Sequence, residues 1–336
     1  MKKIGIIYGG SSTEHDVSLM SAKSVIDNLN KEKYEIYPIY IDKDGKWYKK
    51  HIEVEQKEKI ENIIQYLQKL DVVFPVLHGK YGEDGTIQGM LELFKIPYVG
   101  CKVLASSVGM DKIYAKIVFE KAGIPQAPYV YVQNINGTYK IIRENFESEE
   151  LNLEKITEKL DFPMFVKPSN SGSSVGVKKA NNIEELGKAI ENAGKYDTKI
   201  LIEQGIIGKE VECAILECKN QKNVIASTVG EIKSAEEFYS FDAKYNIPES
   251  KTIIPAQIEN AQIEEIRKLA TRAFNAIDGS GLSRVDFFIE NETNKVYINE
   301  INTMPGFTQI SMYPKLFEAI GIKYTELLDK LIENAI

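Results

Sequence analysis

Residues 166–177 read VKPSNSGSSVGV. The apolar run FPMFV leads into Lys167-Pro168, and six of the next eight residues are Ser or Gly before the chain turns apolar again. A Walker-type phosphate loop would need a Lys-Ser/Thr pair opening a helix after its last glycine. Here Val177-Lys178 follow Gly176, and the alternation SVGVKKA predicts a strand. The loop therefore joins two strands. Such a loop can lay backbone N–H groups over phosphates; an ordinary hairpin turn is the competing reading, because Ser and Gly are common turn residues.

The rest of the chain supplies the setting. A length of 336 residues predicts two or three domains with real cores. The net charge of -7 argues against a general nucleic-acid or membrane-surface binder. No window approaches the roughly 20 apolar residues of a membrane span, and the start, MKKIGIIYGG, is too short in apolar residues for a secretory signal. Cys101, Cys213 and Cys218 form no metal-like spacing and suit a reducing, cytoplasmic setting; the three histidines are scattered, which argues against a zinc centre. In the first hundred residues KKIGIIY, YEIYPIYI and DVVFPVL read as strands, and Ala22, Val25, Ile26 and Leu29 fall on one face of a helix. That rhythm predicts a parallel sheet. A helix starting near Asp111 should stop at Ala122-Gly123. Residues 133–160 are polar and give little beyond a helix at their end. Helices are expected near 182–194 and along the stripe Ile266, Leu269, Ala270, Ala273, Phe274, Ile277. Residues 235–252 read as a long, lid-like loop.

LSRVDFFIE and KVYINEIN form two late strands. Arg284 and Asp286 share a face of the first, and Glu300 and Asn302 share a face of the second. If the strands pair antiparallel, Asp286 meets Glu300 only in an even-sum register. A three-residue loop, 292–294, with left-handed Asn294 produces that register; a four-residue loop sets Asp286 opposite Asn299 unless a bulge intervenes. In the favourable register two carboxylates and an amide oxygen converge, a hard-oxygen set suited to Mg²⁺ held jointly with phosphates. A solvent-facing salt-bridged strand is the alternative. Glu14 has a local alternative too: Ser11-Ser12-Thr13-Glu14 fits a capping box with Ser11 as N-cap.

The segments GGSSTEHDVSLMSA, FPVLHGKYGEDGTIQGMLEL, MDK, KPSNSGSSVGV, EVECAIL, FDAKY, SRVDFF and NEINTMPGFTQISMYP together resemble the D-alanine–D-alanine ligases of the ATP-grasp superfamily, in the family's order and over nearly the whole chain. The resemblance implies an α/β, ATP-grasp fold in three parts: an N-terminal Rossmann-like substrate domain (1–108), a central subdomain with the phosphate-covering loop (109–200) and a C-terminal domain (201–336) with the metal ligands and a mobile loop at 235–252. It implies ATP-dependent joining of two D-alanines through an acyl phosphate, for peptidoglycan synthesis in the cytoplasm, by a homodimer that binds neither nucleic acid nor membrane.

By that resemblance, Asp286, Glu300 and Asn302 hold two Mg²⁺ or Mn²⁺ ions. Lys112, Lys167 and Lys244 contact the ATP phosphates, with Ser171, Gly172, Ser173 and Ser174 over them, while Glu203 and Glu210 meet the adenine and ribose. Arg284 and the Gly306 N–H stabilise the oxyanion. Glu14 takes the first ammonium and is tied to Ser173 and Tyr245; His78 lies near the first substrate; Ser311, with Lys244 and beside Met312, takes the second carboxylate. Gln309-Ile310 departs from the Ser-His pair of some relatives, and Gln204 stands where some carry Lys. Two further readings are a ligase joining D-Ala to D-Ser or D-lactate, and a catalytically silent ATP-binding protein.

Overall fold

A computed structural model describes residues 1–218, 223–233 and 251–336. Lys244, Tyr245 and most of the expected 235–252 loop lie outside the described residues; its last two positions already belong to the strand Lys251–Ile253.

Three sheets organise the mixed α/β chain. In the first, Lys2–Gly9 lies between Tyr34–Ile41 and Val72–Pro75, parallel to both. An antiparallel hairpin-like edge, Trp47–Lys49 and Glu58–Lys59, extends it. The helix His15–Asn28 covers one face, burying Ala22, Val25 and Ile26 with Leu29 just beyond. Parallel strands demand cover on their faces, and the two C-terminal helices help provide it. Met312–Glu318 and Tyr324–Ala335 share one core with Ile4, Ile6 and Phe74 of the first sheet and Ala214 and Leu216 of the third. Phe307 meets Phe74 edge-to-face at 5.3 Å in the same core. This shared core fixes the loop 303–311 against the N-terminal sheet.

The second sheet is antiparallel throughout and carries the Ser/Gly loop, since Met164–Pro168 pairs with Lys178–Ala180. The strand Lys199–Gln204 belongs to it, so the division expected at 200 falls inside a strand. The polar region contains a hairpin that the sequence reading left unassigned, Tyr129–Ile135 with Thr138–Ile142. Its turn is Asn136-Gly137, both at positive φ, the pairing that a two-residue hairpin favours.

The third sheet runs Lys251–Ile253, Asn223–Lys233, Gly208–Cys218, Leu282–Glu290, Val296–Asn302. The helix Asn260–Ala276 packs its predicted stripe into its core. The late hairpin corrects the expected loop. Near its turn Ile289 pairs with Val296, and Glu290 N–H bonds to Lys295 O, leaving residues 291–294 as the turn. Asn294 is left-handed (φ 57°) as predicted. A bulge then skips Asn299, and beyond it Asp286 faces Glu300 and Arg284 faces Asn302. The register is reached by a longer turn plus a bulge, a device that re-aims side chains near functional sites.

Candidate active site

The Ser/Gly loop is held at its base by one buried carboxylate. Asp111 caps the helix Lys112–Lys121 by accepting from Ile113 and Tyr114 N–H. It also accepts from Ser169 Oγ (2.5 Å) and Asn170 Nδ2 (3.1 Å), and pairs with Lys199 Nζ. The first residue of that helix then serves the loop directly. Lys112 N–H donates to Ser169 O (3.1 Å), and Lys112 Nζ donates to Ser171 O (2.8 Å) and stands 3.5 Å from Glu300. At the tip Ser173 and Ser174 are both left-handed (φ 48° and 60°), backbone that side chains adopt only when surroundings hold it.

Glu14 supplies one such hold. The helix after it begins at His15 with Glu14 itself as N-cap and no side-chain cap bond, so the capping box does not form. Instead Ser12 Oγ accepts Glu14 N–H (3.1 Å) and donates to His78 O (2.7 Å). The Glu14 carboxylate, buried, accepts from Ser173 Oγ. Gly172 approaches so closely that an added Cβ would stand 2.7 Å from Glu14 Oε2, and Gly79 (φ 72°) crowds the same atom from the other side.

Two cavities meet beneath the loop. The first is lined by Glu14, His78, Glu83, Arg284, Gly306 and Ser311, together with Gly172, Asn302 and Met312; Asp286 lines neither cavity and lies buried behind Arg284. The second is lined by Lys167, Ser174, Glu203, Glu210, Phe288 and Ile298. Lys112, Ser171, Ser173 and Glu300 line both. A group passing from one cavity to the other would cross at these four residues.

In the first cavity Arg284 donates to both oxygens of Asp286, each at 2.7 Å, and lies 3.0 Å from Glu212. Asn302 Nδ2 donates to Asp286 Oδ2 (3.0 Å). Arg284 thus combines a structural ion pair with a position on the cavity wall. Ser311 Oγ accepts Thr308 N–H (3.0 Å), and a Cβ on Gly306 would meet Ser311 Oγ at 2.7 Å, so backbone and hydroxyl are in close register. His78 Nε2 bonds with Ser21 Oγ (3.0 Å), and burial pushes the imidazole down to about 4, so it is neutral at pH 7. Glu83, which sequence reasoning missed although it sits in the quoted LHGKYGEDG, accepts from Gly79 N–H (2.7 Å). Burial, then the Glu14 charge, push its carboxyl up to about 8. That direction favours the protonated form of Glu83 near neutrality.

In the second cavity Glu203 lies between two ammonium groups, 2.6 Å from Lys116 and 2.6 Å from Lys167. Burial works to raise its carboxyl, but the two cations outweigh it and hold it at about 2. Lys167 also reaches the bulged Asn299 Oδ1 (3.3 Å). Gln204 Oε1 accepts from Asp161 N–H (3.1 Å). Lys116 was missed as well; its signal was the i, i+4 spacing from Lys112, which puts both on one helix face. Among the described residues no three His, Cys, Asp or Glu side chains stand together as a metal set; the expected ligands are two carboxylates and an amide, paired across the hairpin.

Family models described as D-ala D-ala ligase N-terminus and C-terminus match residues 3–101 and 118–333. A D-alanine–D-alanine ligase of Acetivibrio thermocellus is 49% identical, the alignment covering 100% of this chain and 96% of that one. One from Clostridium novyi is 45% identical, covering 100% and 98%. Among solved structures, the VanG D-Ala:D-Ser ligase of Enterococcus faecalis superposes with a TM-score of 0.85 at 36% identity, covering 100% and 99%. The Bacillus anthracis D-alanine–D-alanine ligase complexed with ATP has a TM-score of 0.79 at 31% identity, covering 100% and 97%.

Proposed function

The chain belongs to the D-alanine–D-alanine ligase family, and from that premise we propose how its two cavities carry out the ATP-dependent joining of two D-alanines. The observation that carries the reading is the pair of cavities sharing Lys112, Ser171, Ser173 and Glu300. ATP occupies the second cavity, with Glu203 and Glu210 toward adenosine and Lys167, Lys112, Lys244 and the 171–174 loop on the phosphates. The amino acids occupy the first. The γ-phosphate then stands at the shared residues, where phosphoryl transfer requires positioning and charge stabilisation above all.

A carboxylate oxygen of the first D-alanine attacks the γ-phosphorus and ADP leaves. Glu14 holds that substrate's ammonium, and its bond to Ser173 keeps the loop shut over the reacting atoms; Tyr245 joins that lock. The amine of the second D-alanine attacks the acyl-phosphate carbonyl, and the resulting oxyanion is met by Arg284 and the Gly306 N–H. Phosphate leaves with the C–O bond electrons. Neutral His78 packs beside the first substrate without adding charge. Ser311, Lys244 and Met312 receive the second carboxylate.

Asp286, Glu300 and Asn302 fit two Mg²⁺ or Mn²⁺ ions. Their oxygens are hard, Asp286 stands across from Glu300, and a carboxylate has about four acceptor sites, more than Arg284 and Asn302 use. Such ions, when bound, neutralise phosphate charge. ATP dependence and three free thiols suit the cytoplasm, and the assembly is proposed to be a homodimer. D-serine as second substrate is the competing reading, favoured by the likeness to the D-Ala:D-Ser ligase structure. The acyl phosphate has a direct test. D-alanine labelled with ¹⁸O in its carboxylate should deliver one label to inorganic phosphate per dipeptide; unlabelled phosphate would rule the intermediate out.

A further inference from the structure

Among the described residues Lys116 is the largest charged side chain wholly inside the fold, 2% exposed. It projects from the helix Lys112–Lys121 behind Glu203, over the ring of Tyr129 at 5.1 Å, and it does not line the second cavity. Its one ion-pair partner among the described residues is Glu203 Oε1 (2.6 Å), while Lys167 takes Glu203 Oε2 (2.6 Å). Two ammonium groups on one carboxylate exceed what pairing needs. Burying an extra cation is costly, so the second lysine calls for a reason.

The reason lies in what Lys167 must do. It lines the same cavity as the Ser/Gly loop and Lys112, and on the reading above it contacts the ATP phosphates. Full engagement there draws it off Glu203. A carboxylate this deep (5% exposed) would then be stranded, and a buried charge stripped of its partner is strongly unfavourable. We infer that Lys116 is the standing counter-ion of Glu203, a positioning residue that keeps this carboxylate charged and aimed into the nucleotide cavity when Lys167 turns from Glu203 to the phosphates. Lys167 is the exchangeable partner and Lys116 the permanent one. The helix presents Lys112 to the loop and, one turn on, Lys116 to Glu203, so one rigid element serves both ends of the nucleotide.

This inference rests on ATP occupying the second cavity, and the test separates the two. Equilibrium binding of ATP and of adenosine is measured for the intact protein and for Lys116→Met. Adenosine carries no phosphate to draw Lys167 away, so Glu203 keeps a partner. Lys116→Met should therefore weaken ATP by about 10- to 100-fold, the range for leaving a buried charged group without its partner, and adenosine by less than about 3-fold. Equal weakening of both would make Lys116 a shaper of the adenine pocket and overturn the inference; unchanged ATP binding would overturn it too. Absence of ATP binding by the unaltered protein would defeat the parent reading instead. A second comparison holds even if the single variant does not fold. In a Glu203→Gln background no carboxylate needs a counter-ion, so adding Lys116→Met should change ATP binding less than about 3-fold. A further 10-fold loss there would contradict action through Glu203.

Discussion

Replacing Asp111 by alanine should damage both stability and nucleotide use, because this carboxylate ties the helix of Lys112 to the Ser/Gly loop. The side chain of Asp111 is 8% exposed and that of its partner Lys199 22%. Removing one member of a buried pair costs about 3–5 kcal/mol. Lys199 stands near the surface and regains some hydration, which favours the lower bound of about 3 kcal/mol. Loss of the helix cap adds about 1 kcal/mol. The expected total is about 4 kcal/mol. Lys199→Met removes the other partner, and the double variant leaves no orphaned charge, so the cycle should return a coupling of about 2 kcal/mol. Urea unfolding at pH 7 measures these values. Because Lys112 N–H bonds to Ser169 O and Lys112 Nζ to Ser171 O, KM for ATP should also rise, by about tenfold, the effect of one weakened charge-assisted contact. A loss below about 1 kcal/mol with KM unchanged would refute the account of Asp111 as the loop's anchor.

The remaining expectations concern charge. Glu203 is held at about 2 in the fold against about 4.3 unfolded. Its depressed value makes its ionic contribution complete above about pH 4.3 and lost as pH falls toward 2. The stability gap between the unaltered protein and Glu203→Gln should shrink across that window in acid urea titrations. His78, pushed down to about 4 by burial, binds its proton more weakly than the unfolded chain, whose value is about 6.5. Stability should therefore fall as pH drops from about 6.5 to 4. His78→Gln should flatten that slope, and a normal His78 titration by NMR would contradict it. Asp286→Asn keeps one oxygen to accept from Arg284 but removes a carboxylate from the proposed ion set; turnover should fall by at least about 10³-fold, a scale typical of lost transition-state charge stabilisation, with the circular dichroism spectrum retained.

Periodic patterns made much of the fold legible. The stripe from Ile266 to Ile277 and the face of Ala22, Val25, Ile26 and Leu29 lie in cores as predicted. The hairpin around Asn136-Gly137 escaped because its strands are flanked by polar residues, although the turn chemistry was visible. The bulge at Asn299 has no local signature; it follows from a four-residue turn meeting a pairing that sets Asp286 against Glu300. Individual motifs named many of the residues that line the two cavities, and their convergence there came from tertiary packing. Glu14 shows the limit of local rules. Its spacing fits a capping box, yet the helix starts at His15 and the carboxylate serves Ser173 instead. Glu83 and Lys116 were hidden for a different reason: a buried charge looks like any surface charge until its neighbours are known.

If the two cavities join two D-alanines while cleaving ATP to ADP and phosphate, phosphate release should depend on D-alanine. Phosphate release is followed with ATP and Mg²⁺ in the presence of D-alanine alone, D-alanine with D-serine, D-alanine with D-lactate, or L-alanine, and products are identified by mass. Rapid release with D-alanine alone, yielding the D-Ala-D-Ala dipeptide and ADP in equal amounts, is the predicted result. A mixed dipeptide or depsipeptide as the dominant product, or no release with any amino acid, would contradict it.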